Sequence, residues 1–297
     1  MDASVIRYQR IQTCIFCEKK EIVMAKISVV INTLNEERNI RDCILSTKAI
    51  ADEIIVCDMS SEDRTREIAA ECGAKVFVIN RMEGQYQKMR HDAIEMATNE
   101  WVLQIDADER LTKKLAEKLK ELAEDHSIEV VMFGILFWYF GGWVRHGGFF
   151  NSDYYRFFRR STYLSNYREN SVQAHHDMSS LKGLHGVVRL PKEYYLLHLA
   201  YETIEKYVVK TVGMYSRIEA EQMKKSGQRF KTINMVTKPL LKFFRVYVLR
   251  KAYKDGLRGL ILSIYFSLYI FSIWSNLWFL EQSQSNAEYL SDEFNIL

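Results

Sequence analysis

From Lys26 to about Asp125, short apolar runs alternate with helical stretches, and this alternation limits the chain to βα units wound around a mainly parallel sheet. The apolar runs are Ile27 to Ile31, Glu53 to Cys57, Lys75 to Ile79 and Trp101 to Ile105. Between them Asn35 and Ser61 are placed to cap helices, and Gly73 stands where a helix needs a left-handed residue to stop. A fourth helix is expected to carry Leu111, Leu115, Leu119 and Leu122 as one apolar stripe, which reads as core packing. From Glu129 to about Leu197, aromatic and β-like runs such as Val130 to Phe140 alternate with the turn signals Gly141-Gly142 and Gly147-Gly148. That stretch is expected to extend the sheet. After Tyr201 the pattern is helical, with Thr203 as a cap and Ser226-Gly227 as a stop.

Composition narrows the function classes. A net charge of +3 over 297 residues does not imply a nucleic-acid partner. Five cysteines do not make a disulfide framework and point to a reducing, cytoplasmic compartment. The first 23 residues lack the features of a secretory signal and read as an extension outside the fold, and the lone Cys14-x-x-Cys17 in them lacks a second ligand pair for zinc. No G-x-G-x-x-G follows the first strand and no P-loop motif occurs, so any phosphates must be held by metal and side chains. Residues 259–280 carry no charge, a length that suits the ~30 Å hydrocarbon core. Ser263, Ser267, Ser272, Ser275 and Asn276 make this run only moderately apolar, and Lys242, Arg245, Arg250, Lys251, Lys254 and Arg258 precede it. A basic stretch beside an apolar one is attracted to anionic lipid, so an interfacial helix on the cytoplasmic face of a membrane is expected. A solvated basic helix followed by a core or homodimer helix is the other reading.

In an open parallel sheet, ligands bind beyond the carboxyl ends of the strands. Here those ends are polar: Asn32 and Thr33, Asp58, Asn80, and Asp106. The sharpest feature is Asp106-Ala107-Asp108-Glu109, directly after an apolar strand. Residues i and i+2 of an extended segment project to one side, so Asp106 and Asp108 are placed to face one ligand. Their mutual repulsion is naturally compensated by a divalent cation, and Mg2+ or Mn2+ suits a site of one or two carboxylates completed by water and phosphate.

The segment Ile27 to Ile40 (ISVVINTLNEERNI), then Asp52 to Asp58 (DEIIVCD) with Ser60, Ser61, Asp63 and Thr65, then Asp106 to Glu109 (DADE), resembles glycosyltransferase family 2. Within that family the chain is most similar to the lipopolysaccharide core glucosyltransferase-like branch. The motifs cover about Ile27 to Arg110, roughly a third of the chain. The resemblance implies a GT-A (Rossmann-like) α/β fold over residues 24–200; the residue pattern itself adds a helical, basic and apolar appendage over 201–297. The resemblance also implies an inverting, metal-dependent hexosyltransferase that takes its sugar from a nucleotide diphosphate, UDP-sugar favoured, and passes it to a saccharide or glycolipid acceptor. By the same resemblance Thr33, Asn35, Glu36 and Asp58 would line the nucleotide pocket, and Arg90, followed by His91, would reach diphosphate or sugar. Asp106 would contact ribose or sugar and share the metal with Asp108. The branch's His-Glu pair corresponds to His176-Asp177, which makes Asp177 the expected base, with Asp153 as a competing carboxylate and with surface polar residues or a second nucleotide contact as the other reading of His175 and His176. Asp63 reads instead as a helix-start residue. A polyprenyl-phosphate glycosyltransferase and a non-catalytic nucleotide-sugar-binding protein are the alternatives.

Overall fold

A computed structural model describes residues 24–79, 86–167 and 185–294. Strands β1 (Ile27–Thr33), β2 (Glu53–Asp58), β3 (Lys75–Val78) and β4 (Trp101–Asp106) lie in the order β3-β2-β1-β4, all parallel. They are joined through α1 (Ile40–Thr47), α2 (Thr65–Glu71) and α3 (Tyr86–Glu95). Successive residues of β1 enter opposite layers: Val29 and Ile31 join the core formed with Ile40, Ile44, Leu103 and Leu115, whereas Val30 joins Ile55, Ile94, Val102 and Phe158. Burial on both faces is why these strands read as continuous apolar runs rather than alternating ones.

Beyond β4 the sheet becomes mixed. Its path continues through β8 (Asn151–Arg159), β6 (Val130–Tyr139), β10 (Tyr195–Tyr201) and β5 (Glu109–Leu111), with β7 (Gly142–Val144) and β9 (Val187–Arg189) attached to β6. β4 pairs antiparallel with β8, while β6 pairs parallel with β10. Helices α4 (Lys113–Ala123) and α5 (Arg160–Asn166) complete the α/β part. This is the GT-A architecture, and strand order reverses at β1, which puts its carboxyl end at the crevice where ligands bind.

Local chemistry departs from the expected caps. α1 starts at Ile40 and α2 at Thr65, so neither Asn35 nor Ser61 is an N-cap. Asn35 has φ +55° and accepts the Glu62 amide on its Oδ1 at 2.8 Å, while Ser61 Oγ accepts the Asn35 amide at 2.8 Å. The two residues tie neighbouring loops together. Asp63 does stand at a helix start, accepting the Thr65 amide at 3.0 Å. Leu111 lies on β5 rather than in the helix, because Thr112 caps α4 and ends the extended segment. Gly73 and Gly227 hold positive φ, and Thr203 accepts the Lys206 amide, as their positions suggested.

The C-terminal region runs through α6 (Ile204–Tyr207), a π-helical stretch Val208–Tyr215, α7 (Ser216–Lys225), α8 (Thr232–Phe244) and α9 (Gly256–Phe294). Ala220 of α7 packs against Ile273, Trp274 and Leu277 of α9. A second cluster joins the helices to the sheet: Val246, Ala252 and Leu262 bury themselves against Tyr139, Val144, Phe149 and Tyr207. Among the described residues one helical segment, Ala252–Gln282, is long and apolar enough to cross a membrane by length and composition, and 28% of its apolar window is buried.

Candidate active site

At the carboxyl end of β1, Asn32 and Thr33 are buried, yet Asn32 Nδ2 and Thr33 Oγ1 have no hydrogen-bond partner among the described residues. A buried polar atom left unsatisfied costs about 1–3 kcal/mol, so two together at a strand end are groups suited to a ligand. On the following loop Glu36 accepts from Asn39 Nδ2 at 2.6 Å. Burial, then the charge of Asp108, raise the Glu36 carboxyl above its ordinary range. Asp58, at the end of β2, is fully buried and accepts both the amide and the hydroxyl of Ser61. It organises the loop that Asn35 also grips.

Asp106 and Asp108 have different surroundings. Arg90 Nη2 donates to both oxygens of Asp106 at 3.1 and 2.9 Å, and Arg156 Nη2 lies 3.4 Å from Oδ2. The charge of Asp106 is therefore balanced by two guanidiniums. Arg156 is itself buried and also reaches Glu109 Oε1 at 3.1 Å, while Glu109 Oε2 accepts the Asp106 amide at 2.8 Å. Burial pushes the Glu109 carboxyl up in spite of Arg156.

Asp108 faces His198 instead. His198 Nε2 is 3.2 Å from Asp108 Oδ2, and its Nδ1 is 3.6 Å from Glu109 Oε1. Burial alone would lower the imidazole, but Asp108 and then Glu109 and Asp106 outweigh it and raise His198 to about 9. The same pairing holds the Asp108 carboxyl low against its burial. Lys210, from the π-helical stretch, adds a positive field to this rim: burial opposes its charge, while Tyr215, Tyr201, Asp108 and Glu36 favour it. A cation would have to displace the proton that Asp108 and Glu109 hold on His198; the neutral imidazole, with Asp108 beside it and Glu109 behind it, then suits a hard to borderline divalent cation. No cluster of three or more His, Cys, Asp or Glu side chains arranged as metal ligands occurs among the described residues.

Thr33, Glu36, Arg90, Asp106 and Asp108 thus come to one rim, with the buried Asp58 and the exposed Asn35 fastening the loops beside it. His91 turns away and stacks on Tyr167 at 3.5 Å. His175, His176, Asp177 and Asn80 lie outside the described residues, as does the side chain of Asp153. His198, Arg156 and Lys210 were not singled out from sequence. Two carried a signal: Arg156 interrupts the apolar run of β8, and His198 interrupts that of β10. A polar group inside such a run has to find a partner.

The chain is similar to several known proteins. The description "Glycosyl transferase family 2" matches residues 28–182, more than half of the 297. An uncharacterized glycosyltransferase of Rickettsia conorii is 30% identical over 251 residues, 82% of this chain and 86% of that one. The lipopolysaccharide core biosynthesis glycosyltransferase LpsC of Rhizobium meliloti is 27% identical over 82% of this chain and 89% of its own length. Among solved structures, residues 1–349 of S. aureus TarS share 17% identity with a TM-score of 0.48, covering 87% of this chain and 92% of that chain. Glucosyl-3-phosphoglycerate synthase from Mycobacterium tuberculosis, in complex with Mn2+, UDP and glucosyl-3-phosphoglycerate, shares 25% identity with a TM-score of 0.32. That match covers 38% of this chain and 44% of the synthase. Family membership rests on the sequence matches.

Proposed function

The chain belongs to glycosyltransferase family 2, and on that premise we propose that it transfers a hexose from a nucleotide diphosphate sugar, UDP-sugar favoured, to a saccharide hydroxyl of a lipid-linked or lipopolysaccharide-type acceptor, with inversion. The observation that carries this reading is the Asp108–His198 pair, 3.2 Å apart at the rim where Asn32 Nδ2 and Thr33 Oγ1 are buried without partners. Similarity to LpsC supports the class of acceptor.

Thr33, Asn35, Glu36 and Asp58 form the nucleotide side of the pocket. Asp108 and His198 would hold Mn2+ or Mg2+, with Asp106 beside them, and the cation would neutralise charge on the departing diphosphate. Glu109 fixes the imidazole so that Nε2 faces Asp108. Arg90 and Arg156 balance the charge of Asp106 and orient it toward ribose or sugar. Asp177, next to His176, takes the proton from the attacking hydroxyl. The basic and apolar helices rest on the cytoplasmic face of an anionic membrane.

A panel of radiolabelled nucleotide sugars, run with and without a chelator, tests the reading. Transfer or hydrolysis with one donor, lost on chelation, is the expected result. No turnover of any donor would overturn the activity, and full turnover in chelator would overturn the metal. Asp177→Asn is expected to keep donor affinity and lose turnover.

A further inference from the structure

Next to the Asp108–His198 pair is a second concavity that none of the proposed donor contacts uses. It measures about 260 Å³, and its lining includes Phe137, Tyr139, Phe149, Tyr154, Lys242 and Arg250. It begins one ring away from the reaction centre: Phe137 and His198 are register partners across β6 and β10, with ring centroids 5.0 Å apart. Phe137 and Tyr154 meet edge to face at 6.5 Å and make an aromatic wall.

The opposite wall is cationic, and its position is built into the backbone. Gly147 donates its amide to the Arg250 carbonyl at 2.8 Å. A Cβ on Gly148 would lie 2.5 Å from Arg250 Nη1, so the Gly147-Gly148 turn, with φ of +78° and +81°, is shaped to seat that side chain. Lys242 Nζ stands 5.3 Å from the Phe266 ring centroid. Among the described residues, no carboxylate forms an ion pair with Lys242, Arg245 or Arg250. Asp255, the nearest acidic residue in sequence, is engaged by His146 at 2.9 Å. Burial and then the repulsion of Arg250 and Arg245 lower the Lys242 ammonium from its ordinary value. The charge of Glu219 also reaches Lys242, but that carboxylate accepts from the Tyr269 hydroxyl and forms no ion pair with the cluster, and cations around a cavity with no carboxylate in ion-pair contact fit an anionic ligand.

We propose that this cavity is the acceptor subsite and that it selects an acidic sugar, a saccharide bearing a phosphate or a carboxylate, with the oxyanion on Lys242 and Arg250 and the ring against Phe137 and Tyr154. This rests on the transferase reading and adds the chemical class of its acceptor. A concave wall that is half aromatic suits a sugar ring better than a flat lipid surface does, and its closeness to His198 places that ring where a hydroxyl can meet the donor.

The test is a titration of the full chain, without donor or metal, using glucose 6-phosphate, glucuronate, glucose and inorganic phosphate. The acidic sugars are expected to bind about tenfold or more tightly than glucose, as charge-assisted contacts to two cations require. Of the two, the tighter ligand identifies the oxyanion. In the Lys242→Gln/Arg250→Gln double variant this preference disappears, and in Lys242→Arg it survives. Equal binding of glucose and the acidic sugars overturns the proposal, as does a double variant that still discriminates. Inorganic phosphate binding as tightly as glucose 6-phosphate also overturns it, because the aromatic wall then contributes nothing. A double variant that loses only flotation with anionic vesicles shows that the cations face lipid, and likewise overturns it. The titration needs no turnover, so its outcome is separable from that of the donor panel.

Discussion

Two residues apart in sequence, Asp106 and Asp108 have different cationic partners, guanidiniums for the first and an imidazole for the second, and substitutions there should separate accordingly. Asp108 and His198 compensate each other across 3.2 Å, so Asp108→Asn and His198→Gln should lower metal-dependent turnover about a hundredfold, with the loss appearing in metal affinity. Titration of Mn2+ against donor binding checks this, and unchanged metal dependence in both variants would remove the pair from the site. Arg156 is different, because it is buried between Asp106 and Glu109. Arg156→Met leaves two carboxylates without that partner and is expected to cost about 3–5 kcal/mol of stability, read from denaturant midpoints. A midpoint within error of the parent chain would show that Arg90 alone neutralises Asp106. The DADE motif could be found in the sequence because its residues are neighbours. Its partners could not, since Arg156 arrives from 50 residues away and His198 from 90 residues beyond Asp108, and no local period links them.

At the scale of elements, the first four strands were legible because burial on both faces writes an uninterrupted apolar run, whereas the caps were misread because Asn35 and Ser61 bond to each other's loops instead of to helix starts. The mixed half of the sheet was less legible: β5, β7 and β9 are three residues each, too short to carry a period. What ties the parallel half at its lower end is Glu53, which accepts from Lys75 Nζ and Ser28 Oγ at 2.7 Å each and from the amide and hydroxyl of Thr98 at 3.0 Å. Burial alone would raise this carboxyl, but those donors hold it at about 2. Because the folded value lies below the unfolded one, the stabilisation is present above about pH 4.5 and is lost as the pH falls toward 2. Glu53→Gln should therefore cost about 1–2 kcal/mol at pH 7, discounted for the exposed Lys75 partner, and the two chains should converge in acid. A constant difference from pH 7 to pH 3 would contradict this. Gly259 is a second such point, since a Cβ there would come within 1.8 Å of the Ala252 carbonyl. Gly259→Ala should push the 252–255 turn off α9 at a cost of about 1–3 kcal/mol, measured by thermal melting.

Across the whole molecule, the C-terminal helices are both a wall of the proposed acceptor cavity and the most exposed apolar part of the described chain. Leu240, Leu241 and Phe244 on α8, with Leu249 and Leu257 beyond it, are more than half exposed, and Lys251 and Lys254 stand exposed among them. Exposed apolar side chains flanked by cations suit an anionic bilayer surface, which is the attachment proposed for this region. Removing everything after Pro239 is a poor test, because Val246, Ala252 and Leu262 share a core with Tyr139, Phe149 and Tyr207, and their loss would strip the sheet beside the cavity. Point changes on the exposed face avoid that. Leu241→Glu with Phe244→Glu should weaken flotation with anionic vesicles more than tenfold, since each side chain contributes on the order of 1.5–3 kcal/mol when buried in lipid. Lys251→Gln with Lys254→Gln should weaken it by about 1 kcal/mol per charge, and only at low salt. If flotation is lost to the acidic substitutions but indifferent to the lysines and to salt, the contact is apolar insertion alone. If neither pair changes it, the exposed face is covered by a second copy or another partner, and sedimentation of the parent chain against the glutamate variant distinguishes the two, because only self-association shifts the mass.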